Sequence, residues 1–224
     1  MNTDKIIKKY WIMGFPYFES RLFFVPNDIG RNYESLVKMK LYDPDGALIN
    51  EIKMLVSSKC PLILDLENFM GDCKPESGIK YGLLVCEMDE YIDSYLRFQT
   101  KKTGVFVGEL NEFNNKAPLF FPVYFSKERN SVLMLRNSEL SDVKIEYKIL
   151  KDNRAPVKTI TLQKMHSRII FLNNAFKELV SDFNEKDFQA YLRLSCVEGD
   201  SVVGAQIIDY NANENLEGDF SSIA

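Results

Sequence analysis

The side chains in this chain that could do chemistry are few. There is one histidine, His166, between Met165 and Ser167. Hydrolytic triads, metal centres and acid–base pairs recruit histidine more than other residues, so a single copy restricts all three. A Cys–His dyad would need His166 beside an ionised thiol. The cysteines are Cys60, Cys73, Cys86 and Cys196, and Cys86 and Cys196 close apolar, strand-like runs where a thiolate is disfavoured. No CxxC clamp supports a zinc site built from Cys60, Cys73, Cys86 and His166.

The acidic stretch 87–93 holds Glu87, Asp89, Glu90 and Asp93, whose oxygens have the chemistry to hold Ca²⁺. The matching stretch later in the chain keeps only Glu198 and Asp200 around Gly199. A solvated acidic hairpin is therefore the expectation. Asp43-x-Asp45-Gly46 begins like a calcium loop but lacks the third acidic position and the distal Glu. GxGxxG, GxxxxGK[ST] and GxSxG are all missing. The expectation is a protein that is not an enzyme, with no catalytic, metal or cofactor-binding residues. Tyr10, Trp11, Phe15, Tyr17 and Phe18 suggest a sugar-stacking platform, but part of that cluster recurs later, which points to packing.

Charge excludes another class. Residues 1–110 and 111–224 each carry 14 Lys/Arg against 16 Asp/Glu, so neither half offers a basic phosphate-tracking surface. Lys5, Lys8 and Lys9 read as a solvated lead-in. No apolar stretch approaches the roughly 18–20 residues that span a bilayer. The N-terminus lacks the apolar core and small-residue cleavage site of a signal peptide. Only Cys86 and Cys196 correspond between the halves, so no disulfide is repeated, and reduced thiols in a cytoplasmic protein are expected.

The elements that position these residues come twice. Phe15-Pro16-Tyr17-Phe18 returns as Phe121-Pro122-Val123-Tyr124-Phe125, and Leu22-Phe23-Phe24-Val25 with Asn27 returns as Val132-Leu133-Met134-Leu135 with Asn137. Val37-Lys38-Met39-Lys40 returns as Val143-Lys144-Ile145-Glu146, and Tyr81-x-x-Leu84-x-Cys86 as Tyr191-x-x-Leu194-x-Cys196. The offsets are 106 to 110 residues, in the same order, which implies tandem duplication of a domain of about a hundred residues. The domains are expected at 1–110 and 111–224, with a linker at 109–118 and a polar, fraying tail from Asn211.

Alternation of apolar and charged residues marks strands at 36–42 and 143–149. Others are expected at 48–56, 61–66, 79–87, 94–100 and 104–108, with counterparts at 157–163, 168–172, 188–196 and 202–209. Asp43-Pro44-Asp45-Gly46 is a turn, matched by Lys151-Asp152-Asn153-Arg154. Phe176, Leu179, Val180 and Phe183 recur at helical spacing, so one short helix is expected over 174–183; the first copy has only a turn at 67–71. About seven short strands per copy predict an all-β protein of two tandem immunoglobulin-like antiparallel β-sandwiches.

Strand-end Asn, the turn with Asp, Leu66-Glu67-Asn68-Phe69, Leu172-Asn173-Asn174-Ala175-Phe176 and a late Tyr-bearing strand resemble the β-sandwich of bacterial sensory-rhodopsin-transducer-like proteins. That resemblance implies a small cytosolic, non-enzymatic binding or signalling module; family members are single-domain, whereas this chain is tandem. The expected function is a cytoplasmic protein-binding or signalling adaptor with a protein partner and scope for self-association, but without nucleic-acid binding or membrane insertion. The alternatives are an assembly subunit of a filament or particle, and a small-molecule or carbohydrate-binding module.

Overall fold

A computed structural model of the chain describes residues 5–14, 19–27, 34–71, 73, 75–76, 79–99, 104–107, 109–126, 129–150, 156–182, 188–197, 201–211 and 220–223. The chain divides into two compact units, the first ending at Glu109 and the second beginning at Leu110. Both are built from antiparallel strands.

The first unit contains β1 (Lys5–Gly14), β2 (Glu19–Pro26), β3 (Glu34–Tyr42), β4 (Leu48–Ser57), β5 (Leu62–Asp65), β6 (Pro75–Glu76), β7 (Ile79–Asp89), β8 (Ile92–Gln99) and β9 (Gly104–Val107). One sheet runs β1-β7-β3-β4, with β6 beside the start of β7, and the other runs β5-β2-β8-β9. The second unit contains β10 (Asn111–Phe113), β11 (Leu119–Phe125), β12 (Arg129–Asn137), β13 (Val143–Leu150), β14 (Val157–Leu162), β15 (Ser167–Phe171), α1 (Leu172–Ala175), α2 (Lys177–Asp182), β16 (Phe188–Cys196), β17 (Val203–Asn211) and β18 (Phe220–Ile223). Its sheets run β11-β16-β13-β14 and β10-β17-β12-β15, with β18 also on β17. The order β1-β7-β3-β4 is thus repeated strand for strand by β11-β16-β13-β14. Of the pairings in an immunoglobulin sandwich, second with fifth strand and third with the sixth long one occur here as β2–β5 and β3–β7; β1, however, joins β7 and β8 joins β2.

Alternation decides which face each strand buries. In β3, Ser35, Val37, Met39 and Leu41 are buried while Glu34, Leu36, Lys38 and Lys40 are not. In β13, Val143, Ile145, Tyr147 and Ile149 face inward in the same way. The second core is closed between the sheets by Phe121, Val123, Phe125, Leu133, Leu135, Leu192, Leu194 and Ile207. Phe125 stacks on Phe188 at 4.9 Å and meets Phe176 edge-on at 6.4 Å. The β3–β4 turn is fixed by the Asp43 carboxylate, which accepts from the Ala47 N–H at 2.8 Å, and by Gly46 at φ 85°, a conformation that favours glycine.

Several expectations are corrected. The helix of 174–183 is two pieces, α1 and α2, broken at Phe176 (φ −119°, ψ 40°), whose fully buried ring also packs edge-on against Tyr147 at 5.7 Å. Burying that ring takes its backbone out of helical geometry; Phe183 lies outside the described residues. The linker contains β10, whose Asn111–Phe113 pairs with Val203–Ala205. The tail contains β18, which pairs with Ile207–Tyr210. Lys5, Lys8 and Lys9 are not a lead-in but part of β1, opposite Asp89, Cys86 and Val85. The 151–154 turn and the 198–200 stretch lie outside the described residues.

The repeat register also shifts. Cys86 opposes Met39 and Cys196 opposes Ile145, in line with the expected match. In β2 and β12, however, the buried Leu22 and Phe24 answer to the core residues Leu133 and Leu135, an offset of 111. Asn27 and Asn137 are therefore not equivalent. Phe15-Pro16-Tyr17-Phe18 lies outside the described residues, while its sequence match Phe121–Phe125 makes up most of β11.

Candidate functional site

The residues flagged for chemistry are dispersed. His166 lies in the β14–β15 turn, where its Nδ1 is 2.8 Å from the Lys164 carbonyl and its own carbonyl accepts from the Asn137 N–H at 2.9 Å. None of the four cysteines is in a disulfide. Cys86 is fully buried, and desolvation pushes its thiol up to about 12 against a smaller opposing effect of Lys8. Burial pushes Cys196 up to about 11. Cys73 is buried, and Cys60 is exposed in the β4–β5 turn with its Sγ 3.4 Å from the Pro61 carbonyl. Buried protonated thiols make poor nucleophiles.

Three of the stretch 87–93 carboxylates face separate lysines rather than a common centre. Asp89 pairs with Lys5 at 2.5 Å and accepts from the Ser35 hydroxyl. Glu87 pairs with Lys38 at 3.2 Å, and Asp93 with Lys8 at 3.5 Å. Among the described residues no cluster of three or more His, Cys, Asp or Glu is placed to hold a metal ion. In the amino-terminal aromatic cluster, Tyr10 and Trp11 are buried, and Tyr10 donates to the Ser94 carbonyl at 2.6 Å. Burial raises the Tyr10 phenol above its ordinary range.

A surface that the repeat hid stands out instead. β11 is aromatic or apolar on both faces. Phe121, Val123 and Phe125 enter the core, so Phe120, Pro122 and Tyr124 stand on the outer face. On β16, Leu192 and Leu194 enter the core and Tyr191 and Arg193 turn outward. The register sets Phe120 opposite Arg193, Pro122 opposite Tyr191 and Tyr124 opposite Gln189. Phe120 is 50% exposed and Tyr191 53%. Gln189 donates to the Tyr124 hydroxyl at 3.3 Å. Directly opposed side chains on one face lie about 5 Å apart at Cβ, so Phe120, Tyr191 and Tyr124 form one strip around Pro122. Pro122 is tolerated because β11 is an edge strand, where a missing N–H need not break a ladder.

The same positions in the first unit are closed. Tyr81, the counterpart of Tyr191, is fully buried and packs against Trp11 with ring centroids 5.6 Å apart. Beside the exposed strip, the outer face carries Arg193, Lys144 and Lys148 against Glu146 alone, with Arg193 3.7 Å from Glu146. Aromatic rings, an arginine and few acids are the composition of protein-interface cores. The signal available in the sequence was a strand with aromatic residues in both parities, Phe120 and Tyr124 as well as Phe121 and Phe125.

Comparison with protein-family models and with curated proteins finds no match for this chain. No described helix is long and apolar enough to cross a membrane.

Proposed function

We propose that this chain is a non-enzymatic, cytoplasmic protein-binding adaptor, and that its binding face is the outer side of β11-β16-β13-β14. The observation that carries the reading is the contrast between Tyr81 and Tyr191. The same repeat position is sealed in one unit and 53% exposed in the other, beside an equally exposed Phe120. Large exposed aromatics at adjacent register positions mark a surface kept for a partner. The basic residues around them fit an acidic protein segment with an apolar anchor. The non-enzymatic reading is supported by the dispersal of His166 and the thiols, and the cytoplasmic one by four cysteines outside any disulfide. The resemblance to sensory-rhodopsin-transducer-like proteins points the same way.

The test is quantitative affinity capture from native cells with the intact chain and a Phe120→Ala/Tyr191→Ala variant as baits. A partner retained by the first, lost by the second and weakened by added salt supports the reading. If every captured protein is retained equally by both baits, the reading fails. Quenching of tyrosine fluorescence by oligosaccharides, reversed in the same variant, would move the function to carbohydrate binding.

A further inference from the structure

β4 ends its sheet, so one side of its ten-residue backbone has no neighbouring strand among the described residues. Long regular edges are templates for further pairing, and proteins blunt them with prolines, bulges or brevity. β4 has no proline. Its one irregularity falls at the Leu41/Tyr42 step, opposite Ile49, which leaves residues 50–57 in regular register with β3. Its lysine, Lys53, is offset by Glu51 two residues away, at 3.6 Å. Leu55 stands 64% exposed next to Leu36 at 40%.

We propose that β4 is a homodimer interface: two copies of this chain pair β4 to β4, antiparallel, about a two-fold axis through Ile52. The argument is charge complementarity under that symmetry. Glu51 and Lys53 flank Ile52 and share the outer face, opposite Lys40 and Lys38 of β3. Antiparallel pairing about Ile52 sets Glu51 of each copy against Lys53 of the other, making two cross-strand ion pairs. It also sets exposed Leu55 against Ile49. Moving the axis one residue either way opposes Glu51 with Glu51, or Lys53 with Lys53, so the charges select one register. The matching edge in the second unit, β14, has no such pattern. It carries Val157, Lys158, Thr159, Ile160 and Thr161, and Lys158 is already engaged by Glu178 at 2.9 Å. A closed pair through β4 therefore fits better than open edge-to-edge growth.

Sedimentation equilibrium of the full chain over a wide concentration range tests this. The expected result is a monomer–dimer equilibrium in which Glu51→Lys and Lys53→Glu each weaken the dimer about tenfold or more. The Glu51→Lys/Lys53→Glu double variant is self-complementary again and should recover the original affinity. Both side chains are exposed, and thermal melts of all three variants check that each stays folded. A chain that remains monomeric at every concentration overturns the proposal. So does a dimer indifferent to the single reversals, a double variant that fails to recover, or a species that grows without limit. Phe120→Ala/Tyr191→Ala should leave the dimer intact, which separates this interface from the partner-binding face.

Discussion

The Ser131 hydroxyl donates to the main-chain carbonyl of Tyr124, seven residues earlier, at 3.3 Å. Ser20 makes the same bond to the carbonyl of Met13, also seven residues earlier. Each bond ties two consecutive strands across the gap between the sheets of a unit, since β1 and β2, like β11 and β12, belong to different sheets. The two serines are 111 residues apart, and they set the true register of the repeat in these strands.

Both hydroxyls are buried, so replacing either by alanine removes a protected bond between the two sheets. Ser20→Ala should cost about 1 kcal/mol. Ser131→Ala should cost more, about 2 kcal/mol, because the one Ser131 O–H proton is shared with the nearer, buried Asp209 carboxylate, a charged acceptor. Urea denaturation should show lower midpoints with unchanged slopes. Equal losses for the two variants would mean that Asp209 draws nothing from Ser131.

Asn137 and Asn27 look like copies in the sequence and predict differently in the structure. The Asn137 amide, fully buried, donates to the carbonyls of Ser141, Leu162 and Gln163 at 2.8–3.1 Å and accepts from the Glu139 N–H. It holds the β12–β13 and β14–β15 connections together. Asn27 makes one exposed side-chain bond, to the Glu90 carbonyl at 3.3 Å. Asn137→Ala should therefore cost about 3 kcal/mol and Asn27→Ala well under 1 kcal/mol, read from thermal or urea melts.

The strands with one buried face were legible because alternation is a local signal: Val37, Met39 and Leu41, or Val143, Ile145 and Ile149, announce their parity without reference to anything else. What failed to show was whatever tertiary contact decides. β10 is three residues long and exists because Val203–Ala205 offers it a ladder; nothing within Asn111–Phe113 demands a strand. Helical spacing around Phe176 was real, but burying that ring between Phe125 and Tyr147 took the backbone out of helical geometry. The aromatic strip was missed for the opposite reason. Phe121-Pro122-Val123-Tyr124-Phe125 repeats an earlier motif and so reads as scaffold, although alternation alone puts Pro122 and Tyr124 on the face away from Phe121 and Phe125.

Alkaline pH should unfold the protein through its buried thiols. Cys86 ionises near 9 when unfolded and near 12 when folded, and Cys196 shifts from 9 to about 11. Between those values the unfolded chain has released protons that the folded chain still holds. Stability from these groups is thus complete below pH 9 and falls as pH rises toward 11–12. Each fully shifted group contributes a slope of about 1.4 kcal/mol per pH unit. Cys86→Ala should lower stability at pH 7 modestly, through lost packing, yet flatten the decline above pH 9 by about one proton's worth. An unchanged alkaline slope would exclude Cys86 as a contributor.

Gly82 marks where the two units must differ. Its repeat counterpart is Leu192, a core residue opposite both Phe121 and Ile149. In the second unit β13 stays paired with β16 as far as Leu150 and Tyr191. In the first, the β3–β7 ladder stops at Tyr42 and Leu83, where the chain turns at Asp43, and the Tyr42 carbonyl closes over Gly82. A Cβ there would lie 2.6 Å from that oxygen and 2.9 Å from Leu41 Cδ1. The oxygen is backbone and cannot swing aside, so Gly82→Ala should cost about 2–3 kcal/mol. Gly82→Leu, which installs the residue of the other unit, should cost more still and release the Asp43 turn. Gly71→Ala is the control: its backbone is already helical and a Cβ meets only Asn68 O at 3.4 Å. That substitution should be neutral or stabilise by about 0.5 kcal/mol, by restricting the unfolded chain. Urea melts of the three variants rank these effects, and a Gly82→Ala protein as stable as the parent would mean that the Tyr42 carbonyl moves freely and that this turn does not set the length of the first sheet.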